Sequence, residues 1–338
     1  MKRIKWLLAA FLLIGVLGAY YGMTRVKEIK NPVRIAVVTW PGWSHVFLAE
    51  GKGFFKKNHV DVELVRYMEC ADASKAFLNG DVDGLFQTFA DTIIQSEEIA
   101  AKVVYVSDSS LTGDVIVGRT DHLSDLKGKT VGIDGINTFS HIFVIRALEN
   151  AGLQEYDVKI KNIGAQNVLE ALADGRIDAG HTWEPTKSAA IKNGYKVLAS
   201  AADVEGVITD ILVFRTQVTE ERSTDIQAIV RSLVEAQEYL DAHWTNSVKF
   251  MAVAVAMSYS DMESGLKAIR RLNLQDNKNA MRKSDSIQSL YRSLAFISNF
   301  YFKRGQLSKA PDFDQIIEPK FLNQLSEKQK REDMRKKP

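Results

Sequence analysis

The sequence predicts an α/β protein of two lobes, each with a mostly parallel sheet flanked by helices, joined by two hinge strands. Apolar, β-rich runs alternate with helical segments from residue 33 to residue 215, which is typical of βαβ units. Two stretches in that region, 112–119 and 210–215, can carry the chain into a second lobe and back. Two α/β lobes joined in this way can close on a cleft by hinge motion.

The first lobe begins with the apolar run VRIAVVT and repeats strand and helix up to residue 106. Its predicted strands are 33–39, 60–67, 85–89 and 102–106, and its predicted helices are 47–58, 73–78 and 91–100. The second lobe repeats the pattern, and Gly152 follows one of its helices, a position that favours glycine. Its predicted strands are 130–134, 158–162 and 179–183, and its predicted helices are 138–151 and 166–173.

A last strand at 211–215 precedes a helical region, which carries apolar residues at helical spacing over 223–243. Further helices are predicted at 246–257, 261–271 and 284–304. The resulting domain organisation is a signal segment at 1–23, a linker at 24–32, lobe I at 33–111 and 216–325, lobe II with its crossings at 112–215, and a charged tail at 326–338.

The first 23 residues predict export. Lys2, Arg3 and Lys5 precede an uncharged run at residues 6–23, and a positive segment before such a run is a secretory signal. The small-residue site before Ala19 is a weak cleavage match, and the run is long enough to cross a bilayer, which needs roughly 17–25 apolar residues. This segment is therefore either a cleaved signal peptide or an anchor in the inner membrane.

Composition and charge are those of an ordinary globular protein. The 338 residues are 46% hydrophobic and 25% charged, with a net charge of +2, so nothing indicates a nucleic-acid partner. Cys70 is the only cysteine. It cannot form an internal disulfide and is predicted to be either a small buried hydrophobe or a free thiol.

Five stretches, in order along the chain, resemble one protein family. They are WPGW at 40–43 with AEGKGFFKK at 49–57, DLKGKTVG at 125–132, ALADGRIDA at 171–179 with WEP at 183–185, PDF at 311–313, and EPKFL at 318–322. Together they resemble the nitrate/sulfonate/taurine periplasmic binding proteins of ABC importers, whose relatives include binders of the thiamine pyrimidine precursor. The resemblance covers roughly residues 33–325.

This resemblance implies the two-lobed type II periplasmic binding fold. It implies capture of a small organic nitrogen- or sulfur-containing solute and its delivery to an ABC permease in the inner membrane. The alternative is a membrane-anchored periplasmic ligand sensor with the same clamp, tethered through residues 6–23. In both cases we expect an extracytoplasmic monomer without a cofactor.

Aromatic candidates for ligand contact lie where strands end, because small-solute sites are largely apolar clefts outside the carboxyl ends of strands. Trp40 and Trp43 follow the first strand in a Pro-Gly turn, and Trp183 closes a strand of lobe II. An indole in such a place favours a planar ring or a cation. The alternative for each is ordinary core packing.

Polar candidates in lobe II are Thr138, Ser140 and Glu184. Thr138 and Ser140 begin a helix whose free N–H groups suit an anionic or polar ligand group; the alternative is that their side chains cap the helix. Glu184 is predicted to accept a hydrogen bond from a ligand N–H or to pair with a positive charge, unless it is a surface carboxylate.

Further candidates at strand or crossing ends are Asp72, Thr88, Asp91, Asp114 and Asp210, each of which could equally be a cap or a hinge contact. The candidates include aromatic and carboxylate side chains but no arginine or lysine, whereas a nitrate or sulfonate clamp would more naturally contain one. This trend favours a neutral or amine-bearing organic ligand such as a heteroaromatic ring.

Enzymatic alternatives have no motif to support them. The six histidines are scattered without metal-ligand spacing, and no GxSxG nucleophile elbow is present. The resemblance extends to pyrimidine-synthesising enzymes that use a cysteine-rich cluster, which one cysteine cannot supply. We therefore expect no catalytic residues and no metal ligands.

Overall fold

Two β-sheets organise the part of the chain that the computed structural model describes, residues 31–204 and 206–325. The predicted signal or anchor segment, most of the linker and the charged tail lie outside these residues. Within them, no helix combines the length and the apolar character needed to cross a membrane. Residues 33–325 belong to one compact unit.

The strands and helices follow the predicted alternation. The strands are β1 Val33–Val38, β2 Val62–Tyr67, β3 Gly84–Thr88, β4 Ala101–Ser110, β5 Val115–Gly118, β6 Thr130–Ile133, β7 Lys159–Asn162, β8 Ala179–Thr182, β9 Lys196–Ser200, β10 Thr209–Arg215 and β11 Ile269–Arg271. The helices are α1 His45–Gly51, α2 Phe54–Lys57, α3 Cys70–Asn79, α4 Phe89–Gln95, α5 Phe139–Asn150, α6 Val168–Ala173, α7 Thr186–Lys192, α8 Thr216–Glu221, α9 Ser223–Ala242, α10 Trp244–Ala254, α11 Tyr259–Lys267, α12 Leu274–Ala280, α13 Leu290–Lys303 and α14 Phe313–Ile316.

The sheets are mixed rather than mostly parallel. The strand order is β11-β4-β10-β3-β1-β2 in the lobe I sheet and β7-β6-β8-β5-β9 in the lobe II sheet. The parallel pairs are β1–β2, β1–β3, β6–β7 and β6–β8, and the other pairs are antiparallel. Strands β5 and β10 are the first strands after the chain crosses from one lobe to the other. Each runs antiparallel to both of its neighbours, which makes the sheets mixed.

Several local predictions differ from the structure. The predicted crossing at 210–215 forms most of β10, a central strand of the lobe I sheet, and β9 has no predicted counterpart. Two helix predictions also differ. The predicted helix at 47–58 is split into α1 and α2, because Gly53 adopts a left-handed backbone with φ 73°, a conformation that interrupts a right-handed helix. The predicted helix at 261–271 ends at Lys267, and its last residues form β11, which pairs with β4. An edge strand of three residues is too short to produce a recognisable periodicity.

The hinge consists of two adjacent connections, 111–114 between β4 and β5 and 201–208 before β10. They are hydrogen-bonded side by side: Ser110 N–H donates to the Ile208 carbonyl over 3.1 Å, and Ala201 N–H donates to the Asp114 carbonyl over 3.0 Å. Strands β3 and β10 are buried almost throughout, which is typical of central strands. A rigid lobe I sheet therefore presents its strand ends to the hinge.

Candidate functional site

The inner cavity lies where the ends of β1 and β3 meet the hinge, with a free volume of about 20 Å³. Both lobes and both hinge connections contribute to its wall. The lining residues are Val38, Thr39, Trp40, Trp43, Cys70, Thr88, Asp114, Phe139, Trp183, Ile208 and Asp210. A cavity of this kind, apolar with a few polar groups, is typical of small-solute sites.

Aromatic rings from both lobes form most of the wall. The Trp40 and Trp183 rings meet edge to face with centroids 6.3 Å apart, and the Phe139 centroid lies 6.0 Å from that of Trp183. Trp43 packs on Phe86 at 6.2 Å, and its indole N–H has no hydrogen-bond partner among the described residues. The three predicted tryptophans therefore line one cavity, together with Phe139, which the sequence did not indicate.

A tight single turn at Pro41–Trp43 positions the two lobe I tryptophans. Trp40 Nε1 donates to Asp108 Oδ1 over 3.3 Å. A Cβ atom at Gly42 would lie 2.1 Å from Asp108 Oδ2 and 2.6 Å from Trp40 Nε1, closer than real Cβ contacts. Glycine is therefore required in the WPGW stretch because a buried carboxylate lies against its backbone.

Asp114 is held by a chain of buried groups in lobe II. His181 Nε2 lies 3.0 Å from Asp114 Oδ1, His181 Nδ1 lies 2.7 Å from Ser140 Oγ, and Ser140 Oγ accepts the Asp134 N–H over 2.8 Å. Asp114 Oδ2 has no partner among the described residues. These hydrogen-bond contacts orient one carboxylate oxygen of Asp114 and leave the other unpaired.

This arrangement contains a serine, a histidine and an aspartate but differs from a nucleophilic triad. In a triad the serine hydroxyl faces the substrate. Here Ser140 is fully buried and does not line the inner cavity, whereas Asp114 does. The residue exposed to a ligand would be the carboxylate. The predicted contact residue Ser140 therefore does not line the inner cavity, and its hydroxyl contacts His181.

Asp108 and Asp210 face each other across β4 and β10. They are 0% and 2% exposed. Burial raises the pKa of Asp108 to about 6, and burial together with the charge of Asp108 raises the pKa of Asp210 well above its ordinary value. Two adjacent buried carboxyls cannot both ionise cheaply, so the pair holds a proton.

The outer cavity adjoins the inner one, since Cys70 and Phe139 line both, and has a free volume of about 470 Å³. Of the predicted contacts, Asp72, Asp91 and Thr138 line it. Unpredicted acids there are Glu69 and Asp134, and burial raises the pKa of Asp134 to about 6.

The N-terminus of α5 is predicted to suit an anionic ligand group. In the structure the carboxylate of Asp91 occupies it. Asp91 Oδ1 of lobe I accepts the Phe139 N–H over 2.9 Å, and Asp91 Oδ2 accepts the Thr88 hydroxyl over 3.0 Å. Thr138 donates its hydroxyl to the Asp134 and Gly135 carbonyls, so its side chain does not cap the helix. Burial raises the pKa of Asp91 to about 7.

Glu184 closes the cleft at a place outside both cavities. It is 1% exposed, and Oε1 accepts the hydroxyl of Ser264 in lobe I over 3.1 Å while Oε2 accepts the Ser188 N–H over 3.1 Å. Lys187 Nζ lies 3.6 Å from Oε1. Glu184 thus links the lobes instead of facing the cavity.

Replacing Ser264 with alanine is expected to weaken solute binding up to about 10-fold, because one hydrogen bond contributes about 0.5–1.5 kcal/mol and this one joins the two lobes. Titration calorimetry with the co-purifying solute would measure it. Ser260→Ala, exposed on the same helix, is the matched control. Equal affinities for both variants and the wild type would exclude Glu184–Ser264 as a closing contact.

Cys70 is a free, half-buried thiol that lines both cavities, so it is neither fully buried nor at the surface. Burial raises the pKa of its thiol, with Asp134 and Asp91 adding to the effect. We expect iodoacetamide to alkylate it slowly near neutral pH and more slowly still with solute bound, as followed by mass spectrometry. A rate unaffected by solute would contradict this location.

No group of three or more His, Cys, Asp or Glu side chains in residues 31–204 and 206–325 has a metal-binding arrangement.

Comparison with known proteins agrees with this architecture. The putative binding protein YtlA of Bacillus subtilis is 22% identical over 338 residues. The alignment covers 95% of this chain and 98% of YtlA. The 4-amino-5-hydroxymethyl-2-methylpyrimidine phosphate synthase THI13 of Saccharomyces cerevisiae is 26% identical over 140 residues, 40% of each chain. The relatives thus include both a binding protein and an enzyme.

Solved structures share the fold. The ligand-binding component of an ABC-type import system from Staphylococcus aureus, which has zinc bound, superposes with a TM-score of 0.73 at 17% identity over 87% of this chain and 98% of its own. The periplasmic aliphatic sulphonate binding protein SsuA from Escherichia coli superposes with a TM-score of 0.67 at 19% identity. The match covers 85% of this chain and 97% of SsuA. The predicted periplasmic-binding fold is confirmed.

The family model described as NMT1/THI5 like matches residues 40–245. The matched region contains the WPGW turn, both hinge connections and the lobe II residues that line the inner cavity. Because the match extends over more than half of the chain, this protein belongs to the NMT1/THI5-like family.

Proposed function

We propose that this protein is an extracytoplasmic solute-binding protein that captures a small organic nitrogen- or sulfur-containing molecule and delivers it to an ABC permease of the inner membrane. One observation carries the proposal. A cavity walled by both lobes is lined by residues with the buried polar atoms Trp43 Nε1 and Asp114 Oδ2, which have no hydrogen-bond partner among the described residues. Such atoms cost free energy, and a ligand in the cavity would satisfy them.

Closure would follow from ligand binding by a population shift. Trp40 and Trp43 of lobe I and Phe139 and Trp183 of lobe II all contact one molecule only when the lobes are together, so the ligand binds the closed form better. The rim contacts that stabilise this form include Glu184–Ser264 and Asp91–Phe139. The closed lobes then offer the permease a surface that the open form lacks.

We infer that the protein catalyses nothing. The buried serine–histidine–aspartate chain presents its carboxylate, and not a nucleophile, to the cavity. His45, another buried imidazole, binds the Gly42 carbonyl through Nδ1 and lies outside both cavity linings. Burial lowers its pKa to about 4.

The second candidate function is a membrane-anchored sensor with the same clamp, favoured by the uncharged run at residues 6–23. N-terminal sequencing of the exported protein separates the two. A start at residues 19–24 supports the released carrier, and an intact N-terminus supports the tether.

Native mass spectrometry of the protein as purified, followed by titration calorimetry with the identified solute, tests the solute-binding function. We expect one small organic molecule bound per chain. A protein that carries no small molecule and responds to none in a broad panel of amines, pyrimidines, taurine and alkanesulfonates would contradict it.

A further inference from the structure

We infer that the solute is a compact organic cation with at least one N–H donor, such as a protonated amine or an amidinium; the inference rests on the solute-binding function proposed above. It is carried by the buried acids that face the inner cavity, by the residues that surround those acids, and by the aromatic wall.

Two acids line the inner cavity and a third lies directly behind it. Asp114 and Asp210 are each 2% exposed; Asp114 Oδ2 has no partner among the described residues, and Asp210 shares a proton with Asp108. Asp108 is 0% exposed and faces Asp210 across the strand pair. Among the described residues that line the cavity, Asp114 Oδ2 is therefore an acceptor that requires a donor, and the Trp43 N–H is a donor that requires an acceptor.

No arginine or lysine lines either cavity within residues 31–204 and 206–325. Arg271, opposite Asp108 in the sheet, instead contacts Asp241 and lies 4.9 Å over the Trp244 ring. Lys187 donates to the Thr112 carbonyl at the rim. No arginine or lysine of the wall therefore compensates the buried acids; His181 Nε2, 3.0 Å from Asp114 Oδ1, lies behind the wall.

Buried carboxyls in this situation protonate unless a cation replaces the proton. The raised pKa values of Asp108 and Asp210 agree with a pair that holds a proton while the cavity contains no ligand; Asp114 and Asp91 add to the raising at Asp210. An organic cation with an N–H could replace that proton and donate to oxygens of Asp114 and Asp210. An anionic head group would face these same acids at short range in a low dielectric.

The aromatic wall of the inner cavity also favours a cationic solute. The faces of Trp and Phe rings carry negative electrostatic potential and attract a cation within about 6 Å. Trp40, Trp43, Trp183 and Phe139 all line the cavity. A planar amidinium or protonated heteroaromatic ring would combine this attraction with apolar contact.

The outer cavity supports an approach route for a cation. Its lining includes the acids Glu69, Asp72, Asp91 and Asp134. A cleft lined by one sign of charge raises the local concentration and the association rate of an oppositely charged solute.

The test compares three probes of similar shape near pH 8: benzamidine, its neutral isostere benzamide, and the anion benzenesulfonate. Titration calorimetry of the full exported chain should show benzamidine binding at least about tenfold more tightly than either other probe. Asp114→Asn and, separately, Asp210→Asn should each reduce benzamidine affinity at least about tenfold. Asp61→Asn, an exposed acid just before β2, is the matched control and should leave the affinity unchanged.

Benzamide or benzenesulfonate binding as tightly as benzamidine would overturn the inference and leave the solute-binding function intact. So would wild-type affinity in two aspartate variants whose circular dichroism and melting show a folded protein. Absence of benzamidine binding also counts against the inference, whereas only the absence of any bound solute in the mass-spectrometric test counts against the proposed function.

Discussion

Replacing Asp210 with asparagine is expected to raise the thermal midpoint of the ligand-free protein by about 5 °C near pH 8, because asparagine is neutral without the proton that the buried Asp210 carboxyl takes up on folding. Asp108 faces Asp210 in the strand pair. The Nδ2 of asparagine can donate to Asp108 in the place of the shared proton. The same change should weaken binding of a cationic solute, since a charge that binds the ligand is lost.

The direction of the pH dependence follows from the raised pKa values. Burial raises the pKa of Asp91 to about 7 and that of Asp108 to about 6, so the folded protein holds protons that the unfolded chain releases at about pH 4. This contribution to stability is complete below about pH 4 and is lost as the pH rises through 7. For Asp91 alone it is on the order of 4 kcal/mol.

His45 acts in the opposite direction at lower pH. Burial lowers its pKa to about 4, so its contribution is lost as the pH falls from its unfolded value near 6.5. The carboxyl effect is therefore isolated above about pH 6.5, where the wild type should melt at progressively lower temperature and Asp210→Asn should change less. Differential scanning calorimetry at several pH values, with Asp61→Asn as control, measures this. A variant that melts below the wild type near pH 8 would contradict the proton-sharing pair.

Replacing Trp183 with alanine is expected to weaken solute binding about 100-fold, because buried aromatic contacts at the centre of a binding site typically contribute 2–4 kcal/mol. Trp183 is the ring that joins the two lobes: it contacts Trp40 of lobe I and Phe139 and His181 of lobe II. The free energy of unfolding should also fall by about 3 kcal/mol, since a buried ring is removed.

Trp183→Phe separates the two effects, because it keeps an aromatic face while losing part of the volume. We expect it to recover most of the affinity. Trp244→Ala is the matched control: this tryptophan is half-buried, donates to Glu263 over 3.2 Å and lies outside both cavities. Calorimetry and urea unfolding measure both quantities. Comparable losses of affinity in Trp183→Ala and Trp244→Ala would mean that Trp183 acts only through stability.

The rule that ligands bind at strand ends identified most of the candidate site. Of the residues predicted from it, Trp40, Trp43, Thr88, Asp114, Trp183 and Asp210 line the inner cavity, and Asp72, Asp91 and Thr138 line the outer one. Their contact with a solute remains a prediction. Ser140 and Glu184 also lie at strand or helix ends, but tertiary hydrogen bonds occupy them.

Sequence alone determined the alternation of strands and helices and therefore the α/β fold, because local hydrophobic periodicity and turn residues set these features. Only the tertiary structure decided which carboxyls share a proton, which oxygen of Asp114 stays unpaired, and that Asp91 occupies the start of α5. These properties depend on contacts between residues 48 to about 100 positions apart. Burial and pairing at such separations arise from how the lobes close, which no local pattern encodes.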